Sequence, residues 1–252
     1  MKVISFLLKG KMAHFRRYYS NSSSLSYTLP PRTTITGIIA GILGYKRDSY
    51  YELFSLEKCN IAIGIRQPVK KNVQTLNLLM IKGPNDFRGD KPNPSQTPTE
   101  IITPSNIRTG ELEYQIWFHH EDEELMNELK DLLNQDVGFC TRGISVALGT
   151  AQHLGWIEYL GESEVTEEIN GSAKIFSAVP VGNVIELDIK ENIGKENYFI
   201  IKEELPLEFD RERKLKQKAD FLVNLNSQEV EAKIKKAFKL NSGEVITWLE
   251  VS

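Results

Sequence analysis

The stretch His14-Phe15-Arg16-Arg17-Tyr18-Tyr19 gathers an imidazole, two guanidinium groups and two phenol rings. Arginine forks onto phosphate oxygens, and a tyrosine ring offers a flat face to an unstacked base. One such stack is worth ~1–3 kcal/mol. Pro30-Pro31-Arg32-Thr33-Thr34 is a second device of the same kind. A helix that starts there presents free backbone N–H groups, the positive end of its dipole and two hydroxyls, all of which suit phosphate. Lys70-Lys71 and, further on, Phe87-Arg88 extend the series. The plainer alternative is scattered surface cations, with one of Tyr18 and Tyr19 turned into the core. His14 beside two arginines also has the makings of metal-free RNA cleavage. The imidazole would act as general base and the cations would steady the developing charge. The other reading of His14 is that it stacks on or hydrogen-bonds to a bound strand without cutting it.

Other chemistries lack their residues. There is no phosphate-cradling G-x-x-x-x-G-K-[ST], no G-x-G-x-x-G after a strand, no H-E-x-x-H and no G-x-S-x-G. His119-His120 ends a predicted strand, where neighbours point to opposite faces and cannot chelate together, so both are expected at the surface. His153, beside Gly149-Thr150, reads as structural. Cys59 and Cys140 have neither metal-ligand nor disulfide spacing and are expected as small buried residues of a reducing compartment, the cytoplasm. No metal and no cofactor is expected.

Charge narrows the partner. The 252 residues carry 31 Lys+Arg against 34 Asp+Glu, a net -3. That balance hides a split. Residues 1–47 hold eight basic residues and no acid, and residues 1–110 have a balance of +10. Residues 111–252 stand at -13. A one-sided block attracts polyanions, while the acidic half would repel nucleic acid and confine it to one face. The longest apolar run near the start, Val3–Leu8, is too short to span a membrane, so none is expected as a partner.

These residues need elements to position them. Ile4, Phe6 and Leu8 alternate, which predicts a strand over Val3–Leu8. Ile35, Ile38, Ile39, Ile42 and Leu43 follow helical spacing after Pro31, and Gly44 is a fitting stop. Gly37 and Gly41 would cost ~1 kcal/mol each against alanine, so they predict close packing of that helix on a sheet. Cys59–Arg66 and Glu111–His120 read as strands, and 122–135 as a helix with acids at its start. Either Ile144–Leu148 or Trp156–Leu160 supplies a fourth strand. Five of ten prolines fall between Pro84 and Pro104, which excludes a regular core element there and predicts a long functional insertion. The order β-α-β, insertion, β-α-β is ferredoxin-like, as in RNA-recognition motifs. From residue 161 short β segments follow, then a helix over Gln228–Leu240 and a last strand over Glu244–Val251. The expected class is α+β: a ferredoxin-like domain over 1–160 with an insertion at about 82–110, and a smaller β-rich domain over 161–252.

Several of these segments resemble the fifth family of CRISPR-associated (Cas) proteins, most closely its type I-B members. The resemblance lies in Phe6 with Ala13-His14-Phe15-Arg16, in Ser26-Tyr27 with Pro30-Pro31-Arg32-Thr33-Thr34-Ile35 and Gly37, and in Ile42-Leu43-Gly44. It extends to the segment around Asn77, to Gly143 with Leu148-Gly149-Thr150, and to Val179-Pro180-Val181-Gly182. It implies a RAMP-type fold and a scaffold subunit of the type I Cascade complex, active in antiviral defence. Such a subunit holds the 5′ handle of the CRISPR RNA, touches the backbone and large subunits, and works where target DNA is read. It also implies that the insertion is a β-hairpin thumb. On that reading Arg16, Arg17 and Arg32 contact handle phosphates, and His14, Tyr18 and Tyr19 stack on or orient handle bases. Thr33 and Thr34 donate at the helix start, Lys70 and Lys71 extend the track, and Phe87 and Arg88 sit on the thumb. No catalysis is needed for that role. The alternative is a metal-independent endoribonuclease that processes repeat RNA through His14. A third reading, a protein-only interaction module, leaves the basic first 47 residues without a purpose.

Overall fold

A computed structural model describes residues 1–20, 23–78, 84, 95–135, 138–143, 145–187 and 198–250. It is mostly β, with two α-helices. Strand β1 (Lys2–Gly10) turns Ile4, Phe6 and Leu8 toward the main core. Short strands β2 (Phe15–Arg16) and β3 (Ser26–Tyr27) pair with each other. Helix α1 (Arg32–Leu43) begins at Pro31 without a side-chain cap and ends at Gly44, whose φ of 82° closes the last turn. Strand β4 (Cys59–Ile65) follows. Strands β5 (Val69–Leu78) and β6 (Ser95–Pro104) then make a separate two-stranded ribbon, before β7 (Leu112–His120). Helix α2 (Glu123–Leu133) is capped by Asp122, whose carboxylate accepts from the N–H groups of Glu124 (2.9 Å) and Leu125 (3.2 Å). Strand β8 (Gly155–Ile175) runs for 21 residues. Next come β9 (Val179–Pro180), β10 (Val184–Leu187), β11 (Ile200–Phe209), β12 (Leu215–Asn224), β13 (Val230–Leu240) and β14 (Val245–Ile246).

The main sheet is ordered β10-β13-β8-β1-β7-β4, with β14 added beside β13 and every pairing antiparallel. Both helices cover one face, where Phe6, Leu8, Ile39, Ile61, Ile116, Phe118 and Leu129 form the core. The other face buries Val3, Ala62 and Trp117 under Leu240, Ile246 and Trp248. Strands β11, β12 and β9 form a separate three-stranded sheet against the start of α1. Among the described residues no helix is long and apolar enough to cross a membrane.

Several sequence expectations change. The boundary placed at residue 160 falls inside β8, which pairs with β1 over its first half and with β13 over its second. The helix expected over Gln228–Leu240 is strand β13. Its buried residues Val230, Ala232 and Ile234 alternate, and then a bulge at Lys235–Lys236 shifts the face so that Ala237 and Leu240 are buried. The bulge gives a strand helix-like spacing. The Asn183 side chain satisfies its backbone, accepting from Lys236 N–H (2.9 Å) and donating to Lys236 C=O (2.5 Å). Prolines do not exclude a regular element after residue 95, because β6 has one partner strand and tolerates Pro98 and Pro104 within and at the end of a ribbon. The two helix glycines meet loops rather than the sheet. Gly37 faces Tyr50, and Gly143 lies so near the Gly41 carbonyl that a Cβ there would sit 2.0 Å from it. Cys140 is exposed, although Cys59 is buried. His120 is buried too, bonded to Leu53 C=O (2.8 Å) and accepting from Asp122 N–H (2.9 Å), so it braces the start of α2.

Candidate RNA interface

Ala13 and Ser24 bridge strand β6 of the β5–β6 ribbon. Ala13 exchanges backbone bonds with Ile102 (3.0 and 2.8 Å). Ser24 N–H donates to Pro98 C=O (3.0 Å), and Glu100 N–H donates to Ser24 C=O (2.9 Å). These bonds fix the two ends of a loop whose tip carries Arg16 to Tyr19.

Side chains from three elements lock the loop from inside. The Glu203 carboxylate, on β11, accepts from Arg17 Nη2 (3.0 Å), Thr28 N–H (2.9 Å) and Thr28 Oγ1 (3.4 Å). The Lys71 ammonium, on β5, lies 3.2 Å from Glu100 and 3.9 Å from Glu203, and it donates to Ser26 C=O at 2.7 Å. Glu100 also accepts from Ser26 N–H (2.8 Å). Burial holds the Glu203 carboxyl above the usual carboxylate range, with the Thr28 N–H, Lys71 and Arg17 pulling the other way. The Arg17 guanidinium also sits 5.3 Å from the Tyr27 ring centre and donates to the Tyr19 hydroxyl at 2.7 Å. Two of the expected phosphate ligands, Arg17 and Lys71, are therefore committed to this internal network.

His14 is corrected more sharply. It is 3% exposed, with Nδ1 2.6 Å from Glu100 C=O and Nε2 2.9 Å from Ser24 Oγ. Nδ1 holds this segment to the ribbon and Nε2 ties it to its own returning strand at Ser24, and the ring is buried. Arg32 is the second correction. It is 1% exposed and donates to the carbonyls of Leu207 (3.2 Å), Ser55 (3.0 Å) and Cys59 (2.8 Å). Its Nε has no partner among the described residues. Burial lowers its pKa, against the pull of Cys59 and Glu208. The Arg32 side chain thus ties the start of α1 to β4 and β11. Thr33 and Thr34 are half-buried beside it, and the Thr33 carbonyl takes the Thr36 hydroxyl (3.1 Å).

The residues left facing outward are Arg16, Tyr18 and Tyr19 on the loop and Lys70 on the ribbon. Tyr18 is 42% and Tyr19 48% exposed, so neither turns into the core. Arg16 Nη2 donates to Ser20 C=O at 2.9 Å, which closes the loop on itself. Phe87 and Arg88 lie outside the described residues. Sequence reasoning missed Glu100, Glu203 and Phe209. All three come from β6 or β11, far from the loop in sequence, and no motif marks them. Among the described residues no group of three or more His, Cys, Asp or Glu is placed to hold a metal ion.

A CRISPR-associated protein family model, Cas_Cas5, matches residues 3–219. The chain belongs to this Cas5 family of CRISPR-associated proteins. No curated protein sequence matches it. Its fold is similar to that in a crystal structure of a CRISPR protein from Archaeoglobus fulgidus, at 15% identity and a TM-score of 0.50, covering 99% of this chain and 100% of that one. A chain from a CRISPR RNA-guided surveillance complex is 12% identical with a TM-score of 0.41, covering 91% of this chain and 92% of that one. A chain from a type III-B Cmr-beta complex bound to cognate target RNA and AMPPnP is 12% identical with a TM-score of 0.47, covering 90% and 86%.

Proposed function

We propose that this chain is a non-catalytic RNA-binding scaffold subunit of a type I CRISPR effector complex, of the I-B kind its motifs resemble, and that it grips the 5′ handle of the CRISPR RNA. One observation carries the reading: Arg16, Tyr18 and Tyr19 stand exposed on a loop fixed at both ends, inside an acid-free stretch. A phosphate ligand and two ring faces held in place cost little ordering entropy when a strand binds. On this reading β4, β7, β1 and β8 with the two helices form the ferredoxin-like unit, and the β5–β6 ribbon is the base of the thumb. Contacts to backbone and large subunits hold the guide in place, while base pairing reads target DNA. The endoribonuclease alternative needs an imidazole that reaches RNA, and His14 spends both nitrogens on Glu100 and Ser24.

The test is direct. Labelled repeat RNA incubated with the purified chain in EDTA is expected to remain intact. Product bands that vanish in His14→Ala would overturn the non-catalytic reading. Arg16→Ala should weaken RNA binding and flatten its dependence on log salt by about 0.7 for the one lost phosphate contact. Unchanged affinity and slope would remove Arg16 from the interface.

A further inference from the structure

We propose that the RNA surface continues from the N-terminal loop onto the β11–β12 hairpin, where Tyr18, Tyr19 and Phe209 form one aromatic platform for unstacked bases of single-stranded RNA. This rests on the RNA-binding reading above and extends it into the acidic half of the sequence. The rings meet edge to face. Tyr18 and Tyr19 have centroids 5.1 Å apart at 89°, and Tyr18 and Phe209 6.1 Å apart at 76°. Such geometry rests the edge of one ring on the face of the next. Both tyrosine rings are held by a neighbour. Arg17 donates to the Tyr19 hydroxyl, and Lys218 on β12 lies beside the Tyr18 hydroxyl. Phe209 pairs with Leu215 at the closed end of the hairpin.

The charges around the rings say which part of a nucleotide they take. Lys218 is 3.0 Å from Glu204, and Lys216 is paired with Glu208. Arg17 is paired with Glu203. Each hairpin lysine is thus matched by a carboxylate, and this surface gains little from releasing counterions. Its contribution is stacking, which depends on the base and not on salt. Arg16, outside these pairs, supplies the salt-dependent part. The interface has two separable components, stacking on the rings and phosphate binding by Arg16.

The test measures fluorescence anisotropy of the full chain with a short oligoadenylate RNA and an abasic ribose-phosphate oligomer of equal length, between about 50 and 200 mM salt. Phe209→Leu keeps apolar bulk in the hairpin and removes the flat face. It and Tyr18→Ala are each expected to weaken oligoadenylate binding about fivefold or more, with an unchanged salt slope and unchanged affinity for the abasic oligomer. Tyr18→Phe, which keeps the ring, should bind like the parent. If Phe209→Leu and Tyr18→Ala bind oligoadenylate like the parent while Arg16→Ala weakens both probes, the platform is overturned and the grip on RNA stands. If Arg16→Ala also leaves both affinities unchanged, the RNA-binding reading falls with it. Equal losses for both oligomers would show the rings acting through the fold and overturn stacking. A Phe209→Leu chain that binds RNA normally but loses a protein subunit would assign the rings to that protein and overturn the proposal.

Discussion

Arg16 and Arg32 come from the same acid-free stretch, and in the sequence both look like phosphate ligands. In the fold they have opposite lives. Arg16 stands in solvent at the tip of a clamped loop, next to two exposed rings. Arg32 is buried, with three carbonyls around its guanidinium. The difference lies in what surrounds each arginine. Arg16 ends the short strand β2, whose backbone pairs with β3 while its side chain points into solvent. Arg32 follows two prolines and lies where Leu207 on β11, Cys59 on β4 and Ser55 just before β4 offer their carbonyls. A buried cation without a carboxylate in contact persists only when carbonyls take its protons, and here they do. Positive charge in a sequence therefore marks either a ligand surface or an internal tie.

The contrast can be broken most forcefully at Arg32. Arg32→Ala strips the guanidinium from three carbonyls; Ser55 C=O keeps the N–H groups of Lys58 and Cys59, while the carbonyls of Leu207 and Cys59 lose this donor at ~1–3 kcal/mol each. A loss of about 3 kcal/mol or more should lower Tm by roughly 6–12 °C in a chain of this size. Arg16→Ala should leave Tm unchanged and act on RNA affinity alone. A thermal shift for Arg16→Ala as large as that for Arg32→Ala would erase the distinction. Next in size is Glu203→Gln, which removes the charge that Arg17 and Lys71 share. A loss of ~1–3 kcal/mol is expected from the weakened buried network, with faster hydrogen exchange at Thr28 N–H. Protection of Thr28 as in the parent would show that the carboxylate does not hold the loop.

The smallest effect lies at the far end of the β11–β12 hairpin. Arg213 is paired with Asp48 at 2.7 Å, and Arg213 with the Tyr51 hydroxyl holds the Asp48 carboxyl below its ordinary 3.8. A depressed carboxylate contributes stability that is whole above 3.8 and is lost as pH falls through the lower folded value. The pair is exposed, so its worth is small. Asp48→Asn should change Tm barely at neutral pH and not at all once the carboxyl is protonated. A growing difference on acidification would reverse the sign of this account.

Much of the frame was legible. The alternation in β1, β4 and β7, the acids at the start of α2 and the Gly44 stop of α1 are local signals, and local signals survive folding. What failed was non-local. The β13 bulge at Lys235–Lys236 mimics helical spacing, because a single extra residue shifts the buried face. The length of β8 depends on two partner strands that pair with different halves of it. At the proposed site, charge and ring content singled out Arg16, Tyr18 and Tyr19, which the fold leaves exposed. Sequence could not tell that Arg17 and Lys71 would be claimed by the Glu203 and Glu100 carboxylates and His14 by the Glu100 backbone carbonyl, since those residues arrive from strands far along the chain. Nor could it place Phe209 against Tyr18.

The most direct measurement is photo-crosslinking of CRISPR RNA to the full chain, with the adducts mapped by mass spectrometry. Adducts on Tyr18 and Tyr19, with none at Arg32 or the start of α1, are the result this account predicts. Adducts at the start of α1 with the loop unmodified would contradict it.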